Sequence, residues 1–296
     1  MRYNSLDSFY KSKFNCKIAK ISLNGNFTCP NKDGSISYGG CIFCSKSGSG
    51  DYAGLISDNL VTQFYKIKEV IDKKWKNCKY IVYFQANSNT YDTLDNLKLK
   101  YESVLYLDNV VGINISTRPD CINDDVLEYL SELNKKTYLT IELGLQSIHE
   151  KTLNLINRNH TLECFTNCVK RLRRNNINVV VHIINGLPYE TEKMMIDTVK
   201  YLNNIDIQGI KIHMLYVLKN TEIENLDFHI LSKDEYINIV CNQLEYLNKN
   251  IVIHRITGDP KLDDLIEPKW LIKKFVVLND INKELVKRDS YQGKKT

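Results

Sequence analysis

Runs of apolar, often β-branched residues alternate along the chain with segments in which apolar residues recur at helical spacing. The apolar runs predict strands at Ile18–Leu23, Tyr80–Phe84, Val110–Ile115, Tyr138–Leu143, Val179–Ile184, Gly209–Val217 and Ile251–Ile256. The periodic segments predict helices at Asn59–Trp75, Leu94–Leu107, Asp124–Leu133, Leu162–Arg174, Thr191–Leu202 and from about Lys269 to Lys287. Apolar runs of this kind are typical of parallel strands that are buried on both faces.

The alternation of strands and helices implies right-handed strand–helix–strand units. Six such units fit between residue 17 and about residue 220, and a seventh strand and the terminal helix follow them. The sequence therefore predicts an α/β fold, built either as a complete or partial barrel or as an open doubly wound sheet.

Polar, glycine and proline residues stand where most of the predicted strands end. These strand-end segments are Gln85–Asn87, Ser116–Asp120, Gly144–Ser147, Asn185–Pro188 and Arg255–Asp259. In barrels and in open α/β sheets, ligands bind at the carboxyl ends of the strands. We therefore expect one shared ligand site at that end of the sheet, formed by amide, arginine and aspartate side chains.

The composition is that of a folded globular protein. Of the 296 residues, 43% are hydrophobic and 25% are charged, so a sizeable core can form. No apolar stretch approaches the ~18 residues of a membrane span. Residues 1–20 lack the apolar segment of a secretory signal. We expect a cytoplasmic protein that does not span a membrane.

The net charge of +5 is concentrated at the carboxyl end of the chain. Residues 269–296 carry eight basic and three acidic side chains, whereas the other 268 residues balance to zero. A basic segment on a neutral body can bind a polyanion. A solubilising surface segment explains the same charge, and the sequence alone leaves both interpretations open.

Three of the nine cysteines stand in one glycine-rich loop after the first predicted strand. Eleven residues separate Cys29 from Cys41, and two separate Cys41 from Cys44. The glycines let the backbone fold closely around a bulky inorganic centre. A structural zinc site commonly uses four ligands, whereas three thiolates suit a [4Fe–4S] cluster with one iron left open for a small molecule.

Other interpretations of the cysteines stay open at this point. Zinc with a fourth ligand such as His182 or His213 is one alternative. A thioredoxin-like redox pair formed by Cys41 and Cys44 is less consistent with the sequence, because no suitable helix follows it. We interpret the six remaining cysteines as packing residues.

The cysteine loop, with CPNKDG and GGCIFC, resembles that of radical S-adenosylmethionine (radical SAM) proteins of the YtqA/YhcC type. These proteins are relatives of the catalytic domain of Elongator subunit 3. Further motifs in the same order extend the resemblance over nearly the whole chain. They are YFQANSNTY, GINISTRPDCI, IELGLQS with NRNH, HIINGLPYET, KIHMLYVLKNTEI and HRITGDPKLDDLIEPKW.

The resemblance implies a partial (β/α)6 radical SAM barrel with an extra C-terminal strand and helix. Residues 1–220 would form the barrel with its N-terminal cluster loop, and residues 221–296 a C-terminal extension that packs on the barrel and carries the basic tail. The resemblance also implies a [4Fe–4S] cluster held by Cys29, Cys41 and Cys44. S-adenosylmethionine would bind the open iron and be cleaved to a 5′-deoxyadenosyl radical that abstracts a hydrogen atom from the substrate.

The same resemblance assigns further residues by their position in the motifs. Gln85 and Asn87 occupy the place of the motif that meets the methionine amino group. Gln146 and Arg158 match residues near the ribose and the carboxylate of S-adenosylmethionine. The implied cofactor-binding residues are Gln85, Asn87, Ser116, Gln146, Arg158 and His182.

Four positions depart from the family pattern. Ser116 stands where Elongator subunit 3 has a glutamate, so an acidic contact is expected to be missing. Asn159, Tyr189 and Asn220 stand where the family often has glycine. Asparagine tolerates a left-handed backbone, whereas Tyr189 adds bulk to a loop near the expected site.

Elongator subunit 3 relatives modify carbon 5 of the wobble uridine in tRNA. This chain has no room for the acetyltransferase domain of that enzyme, so the resemblance implies a later step on the same nucleoside. That step removes the carboxymethyl portion of 5-carboxymethylaminomethyl-(2-thio)uridine and leaves the aminomethyl group. The expected partners are tRNA and a reducing electron donor such as flavodoxin or ferredoxin.

We expect Arg118, Arg255 and Asp259 to face the substrate. For Arg255 and Asp259, the alternative to a role in substrate binding is an ion pair between them that only stabilises the turn. Two other function classes stay open: a radical SAM enzyme that acts on a small-molecule or porphyrin-like substrate, and a non-catalytic metal-binding protein.

Overall fold

The computed structural model describes residues 2–45, 47–48, 50 and 52–296. Its strands are β1 (Ile18–Leu23), β2 (Lys79–Phe84), β3 (Val110–Thr117), β4 (Tyr138–Gln146), β5 (Asn178–Asn185), β6 (Gly209–Met214), β7 (Val217–Leu218), β8 (Val252–Arg255) and β9 (Leu265–Glu267). Seven of them form a parallel sheet in the order β1-β2-β3-β4-β5-β6-β8, and β7 pairs with β9 in antiparallel orientation.

The strand order distinguishes the two architectures that the sequence allows. Each strand of the parallel sheet lies beside the preceding one, so the chain winds in one direction from β1 to β8. A doubly wound sheet would reverse its direction partway. The fold is therefore the predicted partial barrel, with β1 and β8 at its edges.

Helices cover the outside of the sheet. They are α1 (Leu6–Phe14), α2 (Leu60–Lys74), α3 (Leu94–Leu105), α4 (Asp124–Lys136), α5 (Glu150–Leu155), α6 (Leu162–Arg174), α7 (Glu192–Leu202), α8 (Lys233–Tyr246) and α9 (Lys274–Lys287). Five of those that connect successive strands begin at a residue whose side-chain oxygen accepts a hydrogen bond from the first turn: Asn59, Thr93, Asn123, Thr161 and Thr191. In the described part of the chain, no helix has the length and apolar content that crossing a membrane requires.

Two predicted elements differ in the structure. The predicted strand Gly209–Val217 is divided, because β6 ends at the last residue that pairs with β5 and the chain then turns to form β7. The predicted terminal helix begins as a 3₁₀ turn over Lys269–Lys273, and α9 starts only at Lys274. In that turn Leu271 N donates to Pro268 O at 3.2 Å, an i to i+3 bond that tightens the chain.

Helix α1 packs beneath the amino ends of the strands. Its Tyr10 ring lies 6.5 Å from the ring of His254 in β8, and Phe14 lies 5.5 Å from Tyr138 in β4. Ser5, which caps α1, forms a parallel bridge with Ile253 of β8. This helix covers the barrel at the end opposite to the strand-end loops.

Candidate active site

A cavity of about 520 Å³ lies at the carboxyl ends of the parallel strands. Its lining includes every residue to which the sequence analysis gave a site role. These are Cys29, Cys41, Cys44, Gln85, Asn87, Ser116, Arg118, Gln146, Arg158, His182, Arg255 and Asp259. Four of the five strand-end segments thus contribute residues to one cavity, whereas no residue of Asn185–Pro188 is among its lining residues.

The cysteine loop wraps one side of this cavity in a tight backbone. Lys32 N and Asp33 N both donate to Cys29 O, at 2.8 and 3.1 Å, and Cys44 N donates to Cys41 O at 2.9 Å. Gly40 has a φ of +88°, a conformation that a residue with a Cβ rarely adopts. The loop thus presents three thiols to one cavity.

Three asparagines, which the sequence analysis did not place at the site, tie this loop to the barrel. Asn31 is fully buried, and its Nδ2 lies 3.7 Å from Cys41 Sγ and 2.5 Å from Asn157 O. Asn159 Nδ2 donates to Asn31 Oδ1 at 2.7 Å, and Asn157 Nδ2 donates to Gly40 O at 2.7 Å. The NRNH segment after β4 therefore holds the cysteine loop in place.

Two arginines lie beside the thiols. A hydrogen bond from Cys44, together with the positive charges of Arg158 and Arg118, lowers the pKa of the Cys41 thiol to about 6. Arg118 is buried, and its guanidinium donates to both carboxylate oxygens of Asp120, at 2.9 and 2.6 Å. It also donates to the backbone oxygen of Arg158 at 2.9 Å. This geometry makes Arg118 a brace for the loops, even though it lines the cavity.

Several buried polar atoms of cavity residues have no hydrogen-bond partner among the described residues. They are Asn87 Oδ1, Gln146 Oε1, Arg158 Nε and His182 Nε2. Asn87 and Gln146 also have positive φ angles, of 61° and 64°. Since an unpartnered buried polar atom costs free energy, these atoms mark a place for a polar ligand.

Two charged side chains from the middle of strands, Glu142 and Lys211, line the floor of the cavity, and Lys20 pairs with Glu142 from outside the lining. Glu142 accepts hydrogen bonds from Lys20 Nζ at 3.0 Å and Asn114 Nδ2 at 2.9 Å, and its other oxygen pairs with Lys211. Lys211 Nζ also donates to Tyr83 OH at 3.0 Å. Burial disfavours the charged form of Glu142, but the two lysines outweigh it and hold its pKa well below its usual range.

The sequence analysis missed these three residues, although a signal was present. Lys20, Glu142 and Lys211 each interrupt an apolar run that was predicted to be buried on both faces. Charged side chains are rarely buried unless they are paired. Opposite charges in three such runs therefore indicated partners across the sheet.

Another part of the cavity lining comes from β8 and the segment that follows it. Arg255 Nη1 lies 3.3 Å from His213 Nε2, and Arg255 Nη2 lies 3.4 Å from Asp259 Oδ2. Lys274 also pairs with Asp259. The Arg255–Asp259 ion pair, which the sequence analysis gave as the alternative, is thus formed, and both residues nevertheless line the cavity.

The described residues contain no group of three or more His, Cys, Asp or Glu side chains that converge as ligands of a single metal ion would. The rings of His182 and His213, the fourth ligands considered for zinc, lie 4.6 Å from each other inside the barrel. Cysteines that hold a four-iron cluster each bind a different iron, so they do not need to converge on one point.

Two family descriptions match most of the chain. Residues 35–202 match the Radical SAM superfamily, and residues 207–287 match the Radical_SAM C-terminal domain. The chain is 50% identical to the uncharacterized protein YtqA of Bacillus subtilis over 297 residues, which cover 99% of this chain and 92% of that protein. It is 29% identical to protein YhcC of Escherichia coli over 281 residues, 92% of this chain and 89% of that protein.

A more distant relative is the tRNA uridine(34) acetyltransferase of Methanocaldococcus infernus. It is 24% identical over 156 residues, which cover 50% of this chain and 29% of that protein. These matches confirm the resemblance that the motifs predicted.

Among solved structures, the archaeal Methanocaldococcus infernus Elp3 with N-terminus deletion (1-46) matches with a TM-score of 0.71 at 15% identity. The match covers 93% of this chain and 64% of that chain. Methylornithine synthase (PylB) matches with a TM-score of 0.56 at 12% identity, over 90% of this chain and 81% of that chain. At these identities the similarity shows the fold, a partial barrel.

Proposed function

Because this chain belongs to the radical SAM superfamily, we propose that it modifies the side chain of the wobble uridine in tRNA. In the proposed reaction it removes the carboxymethyl portion of 5-carboxymethylaminomethyl-(2-thio)uridine as glyoxylate and leaves the aminomethyl group. Abstraction of a hydrogen atom from the CH2 between the amine and the carboxylate gives a carbon radical, which loses one electron to become an imine that water then hydrolyses. The electron that is lost balances the one consumed in the reductive cleavage of S-adenosylmethionine. A radical reaction suits this step, because the CH2 next to the amine has no easily removed proton but does have a hydrogen atom to lose.

As a radical SAM enzyme, the protein uses a [4Fe–4S] cluster and S-adenosylmethionine. Reductive cleavage of S-adenosylmethionine supplies a 5′-deoxyadenosyl radical. In our proposal Cys29, Cys41 and Cys44 hold the cluster. Two observations support the fit of the cluster and of S-adenosylmethionine to this cavity. Three thiols line it, and the residues assigned to S-adenosylmethionine have buried polar atoms without a partner among the described residues.

We assign those residues by the polarity of their free atoms. Arg158 Nε can donate a hydrogen bond to the methionine carboxylate, and a guanidinium suits a carboxylate. Gln146 Oε1 and Asn87 Oδ1 can accept hydrogen bonds from hydroxyl or amino groups. Ser116 O accepts from both Asn89 N and Asn89 Nδ2, at 3.0 and 2.7 Å, so its backbone supports the loop after β2.

The observation that carries the substrate proposal is the positive charge on the side of the cavity formed by β6, β8 and the start of α9. Arg255, Lys274 and Lys211 line that side, and Asp259 and Glu142 are their acidic partners there. The proposed substituent ends in a carboxylate, which such a wall can hold. The relative named tRNA uridine(34) acetyltransferase supports a uridine of tRNA as the nucleoside.

The proposal includes the partners of the reaction. Radical SAM enzymes need an electron donor, and we propose flavodoxin or ferredoxin. We propose tRNA as the macromolecular partner and the cytoplasm as the location, because tRNA is modified there. The side chain of Phe275, next to Lys274, is 70% exposed and could stack on a base near the basic C-terminal segment.

The test is anaerobic incubation of the reconstituted enzyme with S-adenosylmethionine, a reductant and tRNA that carries 5-carboxymethylaminomethyl-2-thiouridine. Mass spectrometry of the digested nucleosides should show the aminomethyl product together with 5′-deoxyadenosine. The Cys29→Ala/Cys41→Ala/Cys44→Ala variant is the control and should form neither. Cleavage of S-adenosylmethionine with unchanged tRNA would contradict the tRNA proposal and favour a small-molecule substrate.

A further inference from the structure

The floor of the cavity carries one buried carboxylate, Glu142, and one buried ammonium group, Lys211, whereas Lys20 is 22% exposed and lies outside the lining. Lys20 and Lys211 both pair with Glu142, so two ammonium groups share one carboxylate. The side chains of Glu142 and Lys211 are 3% and 9% exposed. A buried cation without full compensation is costly. The floor is therefore suited to one further anion.

Lys211 is the floor residue placed to meet that anion. An ammonium group has three N–H donors. Lys211 uses two of them, toward Glu142 and toward Tyr83 OH. The lysine lines the cavity, so its remaining donor can reach a ligand there.

The register of the sheet places Lys211 between the two ends of the site. Gly144 is aligned with His182, His182 with Lys211, and Lys211 with Arg255, in one row across β4, β5, β6 and β8. At the first end of the row, Arg158 Nη2 donates to Gly144 O at 2.6 Å. Neighbouring strands lie ~4.8 Å apart, so Lys211 is one strand from His182 and from Arg255, and two strands from Gly144, which Arg158 contacts.

We propose that Lys211, with Arg255 beside it, binds the carboxylate at the tip of the substrate's substituent and so directs the adjacent CH2 toward the cofactor side of the cavity. This inference rests on the proposed function, because that function supplies the carboxylate. Tyr83 and Glu142 are positioning residues that hold the lysine.

The experiment compares two nucleosides that differ in the carboxylate. Anaerobic calorimetry measures the binding of 5-carboxymethylaminomethyluridine and of 5-methylaminomethyluridine to the reconstituted enzyme with S-adenosylmethionine bound. The wild type should prefer the first nucleoside. Lys211→Met should reduce that preference by about 10- to 100-fold, which is typical for the loss of one charge-assisted hydrogen bond.

Three further measurements test whether the change in preference is caused by the loss of the Lys211 charge. Lys193→Met removes an exposed lysine of α7 and should leave the preference unchanged. Lys211→Met/Glu142→Gln removes both buried charges and should lose the preference as well. The electron paramagnetic resonance signal of the cluster and the affinity for S-adenosylmethionine should stay as in the wild type, which shows that each variant is folded.

The preference should also depend on pH. Burial lowers the pKa of Lys211 to about 7, against the opposing effect of Glu142. Since only the protonated lysine binds a carboxylate well, the preference should weaken as the pH rises above that value, and Lys211→Met should lack this dependence. The other titratable or charged groups around Lys211 are Glu142, Tyr83, Lys20, His182, His213, His254 and Arg255.

The possible results distinguish a failure of this inference from a failure of the proposed function. A wild type that prefers the carboxylate and a Lys211→Met variant that prefers it equally would overturn the inference while the proposed function stands. A wild type that binds neither nucleoside would contradict the proposed function, and the inference with it. Tighter binding of uridine 5′-monophosphate than of uridine, lost in Lys211→Met, would assign the floor to a phosphate and overturn the carboxylate assignment.

Discussion

At the residue scale, the positions where the related family often has glycine all have a left-handed backbone in this chain. The φ angles are +56° at Asn159, +65° at Tyr189 and +61° at Asn220. Asparagine adopts this conformation at little cost, whereas for other residues it costs about 1–2 kcal/mol. Tyr189 is exposed, and its hydroxyl donates to Asp227 O at 3.2 Å. These three positions therefore require a left-handed backbone, and they do not require a residue without a side chain.

The first prediction concerns Arg158, whose Nε has no partner among the described residues. Arg158→Ala should weaken the binding of S-adenosylmethionine by about 1.5–3 kcal/mol, because one charge-assisted hydrogen bond to a carboxylate is lost. The backbone oxygen that accepts from Arg118 remains, so the cluster should assemble normally. Equilibrium dialysis with the labelled cofactor and an iron assay measure the two effects.

Arg173→Ala is the matched control, since this arginine pairs with Asp206 on the exposed surface of the barrel. Its affinity for S-adenosylmethionine should equal that of the wild type. Unchanged affinity in Arg158→Ala would refute the assignment of this arginine to the cofactor.

At the element scale, the NRNH segment and the cysteine loop act as one unit, although more than a hundred residues separate them. Asn31 Nδ2 reaches both Cys41 Sγ and Asn157 O, and Asn159 completes the contact from the other side. Hydrogen bonds to the sulfur ligands of an iron–sulfur cluster influence its reduction potential. The loop after β4 therefore affects a ligand that lies in the loop after β1.

The second prediction follows from this contact. Asn31→Ala removes an N–H group directed at Cys41 Sγ, and such a group stabilises the more negative, reduced cluster. The midpoint potential should therefore fall by tens of millivolts, on the order of 1 kcal/mol for one hydrogen bond. A redox titration followed by electron paramagnetic resonance measures it.

Asn204→Ala serves as control, because Asn204 Nδ2 donates to Lys200 O on an exposed part of α7. That variant should keep the wild-type potential. An equal potential in Asn31→Ala, with full iron content, would show that this asparagine only supports the loop.

At the scale of the whole molecule, the two matched regions of the chain build one cavity. Residues 35–202 supply Cys41, Cys44 and the strands β2 to β5, and residues 207–287 supply β6, β8, Arg255 and Lys274. The interior they share also buries histidines. Burial lowers the pKa of His182 to about 3, and it lowers the pKa values of His213 and His254 as well.

The third prediction is the resulting dependence of stability on pH. An unfolded histidine binds its proton near pH 6.5, whereas these folded histidines stay neutral to lower pH. The contribution of these neutral histidines to the free energy of unfolding is therefore fully present above pH ~6.5 and is lost as the pH falls below that value. Since its folded pKa is about 3, His182 should reduce the free energy of unfolding by about 2 kcal/mol between pH 7 and pH 5, and His213 and His254 should add to this loss.

Anaerobic urea titrations at pH 7 and pH 5, followed by circular dichroism, measure this loss. His254→Gln should show a smaller loss than the wild type, because glutamine does not bind a proton in the unfolded state. His229→Gln, on the exposed surface, should behave as the wild type. The same loss in His254→Gln and in the wild type would contradict the prediction.

Local patterns in the sequence were sufficient for the alternation of strands and helices, the cysteine spacing and the residues at the strand ends, because each of these depends on neighbours in the chain. Together with the family resemblance, which supplied the cofactor-binding residues, they placed twelve residues at a site, and all twelve line one cavity. Only the tertiary structure decided that Lys20 and Lys211 meet Glu142, across 122 and 69 residues of chain. It also decided that Asn31 meets Cys41 and the NRNH segment together. Such contacts depend on the order and register of the strands, which no local pattern encodes.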